Sequence, residues 1–212
     1  SQIPSQVGNL SRMTHLNLAH SMFSGQIPLE VSKLSQLSSL GLGWNRDSKK
    51  NLLQLGRLSL TSLVENLTLL EDLDLSRVNI SSTVPNIFAN MSNLRSLYLL
   101  DCGMYGEFPK GIFMLPNLRN LDVNHNEDLN GSWPDFQYWH SPMEQMSLAR
   151  VNFSSELPSS MGNLSSLIAL EMPSCSLLGS IPSSIGNLTN LIYLDLSNNI
   201  LVGYIPSLIG NS

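Results

Sequence analysis

The 212-residue chain has little charge, few aromatic residues and only two cysteines. Charged residues make up 13% of the sequence and aromatic residues 7%, and the charged share is about half of what is usual. Only 11 basic residues stand against 16 acidic ones. The chain therefore has too little positive charge to displace counterions from a polyanion, and nucleic acid is not expected as a partner.

Long apolar runs are also missing. No run approaches the roughly 18 residues that a membrane helix needs, and residues 1–4 have neither the basic start nor the apolar core of a signal peptide. Contact with a membrane is expected only through segments absent from this chain.

The residue patterns of known catalytic and metal sites are absent as well. The four histidines, at positions 15, 20, 125 and 140, are scattered, and no Gly-rich phosphate loop or H-E-x-x-H motif occurs. A catalytic site needs a nucleophile, a base and an orienting group that converge in one pocket. The sequence predicts no enzyme, no metal site and no cofactor.

What the chain has in abundance is leucine, arranged in a repeat. The second leucine of an L-x-x-L-x-L core recurs at spacings of 24, 33, 24, 24, 25, 24 and 24 residues. These positions are Leu16, Leu40, Leu73, Leu97, Leu121, Met146, Leu170 and Leu194. A proline that mostly follows an apolar residue recurs in phase with them, at Pro4, Pro28, Pro85, Pro109, Pro134, Pro158, Pro182 and Pro206. Two markers with one period indicate a repeat architecture.

Each repeat is predicted to contribute one short β-strand. In the L-x-L pair, Leu16 and Leu18 point inward while Asn17 and Ala19 face solvent, as alternation along a strand requires. One coil cannot bury its leucines alone, but stacked coils bury them against each other. We therefore predict one domain over residues 1–212, with about eight 24-residue leucine-rich repeats. The fold class is an α/β solenoid, a right-handed superhelix with a parallel concave sheet and a convex side of 3-10 turns and loops.

The two cysteines occupy equivalent positions three repeats apart. Five residues past the core leucine, an Asn or Cys side chain can satisfy backbone groups of the turn, and Cys102 and Cys175 lie there together with Asn45, Asn126 and Asn199. Stacked strands about 4.8 Å apart separate the two cysteine Cα atoms by roughly 14 Å, whereas a disulfide needs less than about 7 Å. We predict two buried, reduced thiols.

The period breaks once, at residues 46–69. A polar and basic stretch over residues 46–51 precedes leucines at helix-compatible spacing. We predict a protruding loop followed by a short helix around residues 60–65 on the convex side. The simplest interpretation is a tolerated insertion, because surface loops accept extra length at low cost. A binding role for the loop is the alternative.

Several stretches resemble the plant extracellular leucine-rich repeat, which carries L-x-G-x-I-P after the strand. They lie at residues 164–170, 178–188 and 194–199, and the resemblance extends over essentially the whole chain. Residues 78–82, 102–109 and 130–136 are similar to plant receptor-like proteins of the disease-resistance type, whose relatives include receptor kinases and polygalacturonase inhibitors.

The resemblance implies an ectodomain at the extracellular, apoplastic face of the plasma membrane, held by a membrane helix and signalling through partner kinases. Because this sequence contains no terminal cap, membrane helix or tail, we expect an internal ectodomain fragment. The resemblance also implies a second, shorter sheet on the flank, built around the Ile-Pro marker. We expect the second repeat to lack this sheet because its marker is missing.

Side chains that flank the inward leucines should form solvent-facing columns across the repeats. The column between the leucines is mildly acidic, which is typical of a solvated face. The column two positions past the second inward leucine, which is Leu18 in the first repeat, is rich in large and charged residues. An exposed Trp and Tyr beside Arg and His is the composition of an interaction hot spot. The predicted ligand-binding residues are Trp44, Arg77, Tyr98, Leu100, Asp101, His125 and Arg150. The alternative is a binding site in repeats outside this chain.

Eight N-x-S/T sequons are predicted glycosylation sites on the convex side and flanks, which leaves the concave face free. They are Asn9, Asn66, Asn79, Asn90, Asn130, Asn152, Asn163 and Asn187.

The predicted function is recognition of a protein or peptide ligand by a plant cell-surface receptor-like protein, in immune or developmental signalling with a co-receptor kinase. The alternative is a secreted inhibitor of a cell-wall-degrading enzyme, similar to polygalacturonase inhibitors. The interruption at residues 46–69 and the variant at residues 130–133 favour the receptor, because the inhibitors resemble a more regular ten-repeat array.

Overall fold

A computed structural model describes residues 1–56 and 58–206 of the chain. The other residues, which include the end of the predicted 1–212 domain and one position of the 46–69 interruption, lie outside the described ranges. The strands in chain order are β1 His15–Asn17, β2 Gly25–Gln26, β3 Ser39–Gly41, β4 Leu53–Gln54, β5 Asp72–Asp74, β6 Ser96–Tyr98, β7 Tyr105–Glu107, β8 Asn120–Asp122, β9 Asp128–Asn130, β10 Gln145–Ser147, β11 Ala169–Glu171 and β12 Tyr193–Asp195.

Eight of these strands form one parallel sheet in the order β1-β3-β5-β6-β8-β10-β11-β12. The central residue of each strand pairs with the central residue of the next, so that Leu16 stands opposite Leu40 and the series continues to Leu170 opposite Leu194. These are the residues that define the sequence repeat. The predicted solenoid with a parallel concave sheet is therefore confirmed.

On the convex side of the described residues, six 3-10 helices each begin directly after one of the recurring prolines. They are Ser5–Asn9, Leu29–Lys33, Asn86–Asn90, Lys110–Met114, Ser159–Asn163 and Ser183–Asn187. Each proline stands at the N-cap with φ between −73° and −65°, which is the range that its ring imposes. The apolar residue before the proline, such as Ile27, lies in the core. The second sequence marker thus anchors the convex side, and one continuous core extends along the coils.

The interruption is a loop followed by the α-helix α1, Leu60–Val64. The distance from Leu16 to Ile27 is 11 residues, whereas the equivalent distance from Leu40 to Leu55 is 15. Four of the nine additional residues therefore lie in the loop, which an antiparallel bridge between Arg46 and Leu52 closes. The other five lie around α1, which takes the place of a 3-10 helix.

The flank carries two short parallel pairs, β2 with β4 and β7 with β9, and isolated bridges such as Gln54 to Asn79. The expectation that the second repeat lacks a flanking strand is wrong, because β4 belongs to that repeat. Pairing requires only extended backbone, and Ile27 N donates to Gln54 O at 2.9 Å while Leu55 N donates to Asn79 O at 3.2 Å. Leu55 is buried as Ile27 is, so the chain rejoins the flank without the proline.

A ladder of side chains satisfies the backbone in the turns after the concave strands. Asn126 accepts hydrogen bonds from the N–H groups of Cys102 and Met104 and donates to the carbonyls of Leu99 and Val123. Cys102 replaces only the donor function of the asparagine, because its thiol donates to Leu75 O at 3.1 Å. Asn45, Asn199 and Cys175 behave in the same way as their counterparts. Both cysteines are free and buried, as predicted.

Candidate ligand-binding face

The column two positions past the second inward leucine lies in left-handed turns that follow the concave strands. All eight members have φ between 52° and 61°, namely His20, Trp44, Arg77, Asp101, His125, Arg150, Ser174 and Asn198. This conformation costs most residues about 1–2 kcal/mol, and Asn and Asp adopt it most readily. The fold therefore fixes the direction of the column, and the Trp and Arg side chains are displayed there at some cost in stability.

Backbone hydrogen bonds hold this column on the edge of the sheet. His20 N donates to Gly43 O at 3.1 Å, Trp44 N to Ser76 O at 2.8 Å and Arg77 N to Leu100 O at 2.7 Å. Each bond reaches the next coil, so neighbouring members of the column are held at the spacing of the parallel strands. Consecutive side chains are consequently close enough to contact one another.

Four consecutive side chains of the column form a continuous row. The rings of His20 and Trp44 stack with centroids 5.7 Å apart and an interplanar angle of 5°. The Arg77 guanidinium carbon lies 4.4 Å from the centre of the Trp44 ring, and Arg77 Nε lies 3.6 Å from Asp101 Oδ2. All four residues are exposed, so the row is a polar and aromatic surface and not part of the core.

A pocket of about 420 Å³ lies between this row and the loop of the second repeat. The row contributes His20, Trp44, Arg77 and Asp101, and the remaining lining residues are Asn45, Arg46, Lys50 and Leu52. Among the residues that the structure describes, neither Arg46 nor Lys50 forms an ion pair. The pocket therefore brings together three cationic side chains and one carboxylate.

Asp47 fixes the loop that forms the outer wall of this pocket. Its Oδ1 accepts from the N–H groups of Lys49 at 2.8 Å and Asn51 at 2.9 Å. Its Oδ2 accepts from Asn51 Nδ2 at 2.9 Å and Ser24 Oγ at 3.1 Å. The side chain and then the backbone N–H of Asn51, followed by Ser24 and Lys49, lower the pKa of Asp47 from 3.8 to about 2.

Known proteins share both the repeat and its arrangement. A family model described as Leucine Rich Repeat matches residues 190–212. Receptor-like protein 6 of Arabidopsis thaliana is 37% identical over 173 residues, which cover 81% of this chain and 17% of that protein. Receptor-like protein Cf-9 of Solanum pimpinellifolium is 38% identical over 107 residues, which cover 50% of this chain and 12% of that protein. In sequence the chain resembles the plant leucine-rich-repeat receptor-like proteins.

The receptor-like chain is also similar to the ectodomain of the Arabidopsis receptor kinase HAESA, solved in complex with the peptide hormone IDA and the co-receptor SERK1. The TM-score is 0.80 at 27% identity, over 99% of this chain and 37% of that one. The chain thus spans a minor part of the length of each of these three relatives.

The structure divides the candidate residues of this receptor-like chain into two groups. Trp44, Arg77 and Asp101 are in contact, as described above, and Tyr98 lies half-buried at the end of β6 nearby. Leu100 is half-buried rather than open to water as the sequence suggested, because its position lies between the strand and the left-handed residue Asp101. Leu100 consequently offers a ligand less apolar surface than expected.

His125 and Arg150 lie farther along the column. His125 is exposed, and Arg150 Nη1 pairs with Glu127 Oε1 at 2.8 Å. Arg150 and Glu127 line a second groove, of about 380 Å³, together with Asn152 and Ser174. Arg150 therefore belongs to a separate part of the face from Trp44 and Arg77.

Sequence reasoning missed His20, Arg46, Lys50 and Leu52 as members of the site. His20 stands in the same column as Trp44, so the repeat itself could have identified it. Arg46 and Lys50 lie in the polar and basic stretch directly after Trp44. That adjacency was the available signal that the loop contributes to the same surface.

The column between the inward leucines of the receptor-like chain is acidic in the structure as in the sequence. It contains Asp74, Asp122 and Glu171. The pKa of Asp122 is raised from 3.8 to about 6, chiefly by burial and also by the charges of Glu171 and Asp74. Burial raises the pKa of Tyr98 as well, and the negative charges of Asp72, Asp74 and Asp122 act in the same direction. The centre of the concave face therefore has a negative potential.

None of the eight sequon asparagines lies in a concave strand. Seven are exposed and Asn152 is half-buried. Four of them, Asn9, Asn90, Asn163 and Asn187, end 3-10 helices of the convex side. The amide of Asn163 donates to Phe136 O at 3.3 Å and to Gln137 O at 3.2 Å, so this one is engaged by the backbone.

No cluster of three His, Cys, Asp or Glu side chains suited to a metal occurs in residues 1–56 and 58–206. Burial raises the pKa of Cys175 to about 11 and that of Cys102 further still. Both thiols therefore stay protonated at neutral pH, and the thiolate is the form that binds metal or attacks an electrophile. No helix within the same ranges is long and apolar enough to span a bilayer.

Proposed function

We propose that this chain is part of the ligand-recognition face of a plant cell-surface receptor-like protein and binds a protein or peptide through its concave side. The row of Trp44 and Arg77 between His20 and Asp101 carries this proposal. An exposed aromatic ring with a cation on its face is typical of binding hot spots. A left-handed backbone disfavours Trp and Arg relative to Asn, and a ligand contact would account for their presence.

Two further observations support a concave site. The eight sequons lie away from the concave strands, so glycans attached to them would leave this face accessible. The similar HAESA ectodomain was solved with a peptide hormone and a co-receptor. By analogy, we propose a signalling role, in immunity or development, at the extracellular face of the plasma membrane. We also propose a receptor kinase as co-receptor and glycosylation at the eight sequons.

The test compares the two faces of the solenoid. Peptides selected from a random 12-residue display library on the 212-residue chain are measured against the triple variant Trp44→Ala, Arg77→Ala and Tyr98→Ala. The matched control carries Lys33→Ala, Asn86→Ala and Lys110→Ala, all exposed on the convex side. We expect the concave variant to lose at least about tenfold in affinity, since hot-spot truncations cost more than about 1 kcal/mol each. Equal affinity for all three proteins would overturn the proposal.

A second assay separates a receptor from a wall-enzyme inhibitor. The chain is added to a fungal polygalacturonase, and pectin hydrolysis is followed. A receptor segment is expected to leave the rate unchanged. Inhibition that the concave triple variant abolishes would establish the inhibitor function instead.

A further inference from the structure

We propose that the 420 Å³ pocket between the second-repeat loop and the row of column residues binds the carboxylate of an acidic peptide segment. This inference rests on the proposed ligand-binding role of the concave face and specifies the chemistry that one end of the ligand must have. The cationic groups of the site are Arg46, Lys50 and Arg77, and the Arg77 guanidinium lies over the ring of Trp44.

The charge balance of the pocket differs from that of the rest of the face. The whole chain has a net charge of −5, and the adjoining column contains Asp74, Asp122 and Glu171. Among the lining residues, three cations face the single carboxylate of Asp101, and the carboxylate of Asp47 in the same loop is engaged in four hydrogen bonds and does not line the pocket. An anionic group that approaches the concave side is therefore attracted to this end and repelled by the centre.

The cations have donors left for a ligand. Arg46 and Lys50 form no ion pair among the described residues. Arg77 directs Nε towards Asp101, but a guanidinium carries five N–H donors, so its terminal nitrogens remain available. The planar fork of an arginine matches a carboxylate in a bidentate arrangement.

The pocket is held in shape before any ligand arrives. Asp47 closes the loop with four hydrogen bonds, from Lys49, Asn51 and Ser24. The Arg77 guanidinium rests on the Trp44 ring, which is itself stacked on His20. Because the loop backbone and the Arg77–Trp44 pair are already ordered, these parts of the site lose less entropy on binding.

The size of the pocket limits its occupant to a small group. Ligand pockets commonly span about 300–1,000 Å³, so 420 Å³ accommodates one acidic side chain or one chain terminus. Binding to an extended polyanion instead requires many cations along a surface, and only three are present here. We therefore assign the pocket to a carboxylate on a peptide that continues along the concave sheet.

The experiment uses capped tripeptides as probes and NMR as the readout. The probes are acetyl-Gly-Asp-Gly-amide, its neutral counterpart acetyl-Gly-Asn-Gly-amide, and acetyl-Gly-Gly-Gly with a free C-terminal carboxylate. Indole N–H signals of the 15N-labelled chain are followed during titration, with the Trp44 signal assigned by Trp44→Phe. We expect saturable shifts of the Trp44 signal with the acidic probe and none with the neutral one. The third probe shows whether a terminal carboxylate binds as a side chain does.

Variants locate the site. Arg46→Gln with Lys50→Gln is expected to lower the affinity for the acidic probe by about tenfold or more, because hydrogen bonds between charged groups are stronger than those between neutral ones. Lys49→Gln is the matched control, because Lys49 belongs to the same loop but does not line the pocket. Equal shifts with acidic and neutral probes, no shift at all, or unchanged affinity in the double variant would each overturn the inference.

Failure of this inference is distinguishable from failure of the proposed function. One outcome is that library-selected peptides bind the concave triple variant more weakly and bind the Arg46→Gln and Lys50→Gln protein with unchanged affinity. That result would support the ligand-binding face and refute the carboxylate pocket. If neither variant affects those peptides, the proposed function itself is wrong.

Discussion

The guanidinium carbon of Arg77 lies 4.4 Å above the ring centre of Trp44, although the two residues belong to different coils 33 positions apart in sequence. Both side chains leave the backbone from left-handed turns, so the cation is positioned over the ring by the stacking of the coils. The same geometry holds His20 and Asp101 on either side of the pair.

We expect Trp44 and Arg77 to be energetically coupled. An exposed cation–π pair contributes about 0.5–1 kcal/mol. A double-mutant cycle with Trp44→Ala and Arg77→Ala, measured by urea unfolding, should return a coupling free energy in that range. The pair Trp44 and Arg150, which makes no contact, serves as the control cycle and should be additive. Additivity in the first cycle would show that the contact has no energetic weight.

At column positions outside the row of contacting side chains, a residue better suited to the left-handed conformation should stabilise the fold. Ser174 is exposed and has φ of 58°, a conformation that Asn tolerates better. Ser174→Asn should therefore raise the free energy of unfolding by up to about 1 kcal/mol, which thermal unfolding of bacterially produced protein can measure. Ser35→Asn is the matched control at an exposed serine without positive φ, and a similar gain there would refute the explanation.

The periodic parts of this structure could be predicted from the sequence, because the stacking of coils repeats one set of contacts. The leucine spacing determined which residues pair across the concave sheet, down to Leu97 opposite Leu121. The same period determined that Cys102 and Cys175 lie too far apart to bond. Neither result required knowledge of a loop.

Features that depend on a single local contact could not be predicted. The loop of residues 46–52 takes its shape from hydrogen bonds to one carboxylate, Asp47, and no repeat marks that residue. The flanking strand β4 forms without its proline because Leu55 fills the place of Ile27. Consequently the sequence identified the Trp44 column but not the pocket that the loop completes.

The asparagine ladder predicts a large difference between two substitutions at one position. Asn126→Ala removes the partner of two buried N–H groups and two carbonyls. Leaving such groups unsatisfied costs about 1–3 kcal/mol each, so we expect a loss of at least about 3 kcal/mol in urea unfolding. Asn126→Cys should cost less stability, because a thiol can still donate one hydrogen bond to a backbone carbonyl, as the Cys102 thiol does to Leu75 O. Equal losses for both would show that the donor half of the ladder contributes nothing.

Asp122 should make the receptor-like chain less stable as pH rises from about 4 to 6. Its pKa is about 6 in the fold, against about 3.9 for an unfolded chain. The folded state therefore binds the proton more tightly, and ionisation opposes folding through that interval. Because the side chain is partly exposed, we expect Asp122→Asn to raise stability at pH 7 by only about 1–2 kcal/mol, and by nothing near pH 4.

The comparison requires that the substitution keep the local hydrogen bond. Asp122 Oδ1 accepts from Asn124 N at 3.0 Å, and an asparagine carbonyl oxygen can accept in the same way. Urea unfolding of both proteins across pH 4 to 7 gives the difference. A stability difference independent of pH would mean that Asp122 titrates at its ordinary pKa.

The loop carboxylate has the opposite pH dependence and tests the link between loop order and the pocket. The pKa of Asp47 is lowered to about 2, so its stabilisation of the loop is present above about pH 4 and is lost as pH falls towards 2. Asp47→Ala should speed amide hydrogen exchange at Lys49 and Asn51, whose N–H groups it holds, while the concave strands keep their protection.

Asp47→Ala should also lower the affinity for the acidic tripeptide, because Arg46 and Lys50 would no longer be held beside Trp44. Ser48→Ala is the control in the same loop, since the Ser48 side chain makes no hydrogen bond among the described residues, and it should change neither exchange nor affinity. If Asp47→Ala frees the loop amides but leaves tripeptide affinity unchanged, the order of the loop is not required for carboxylate binding.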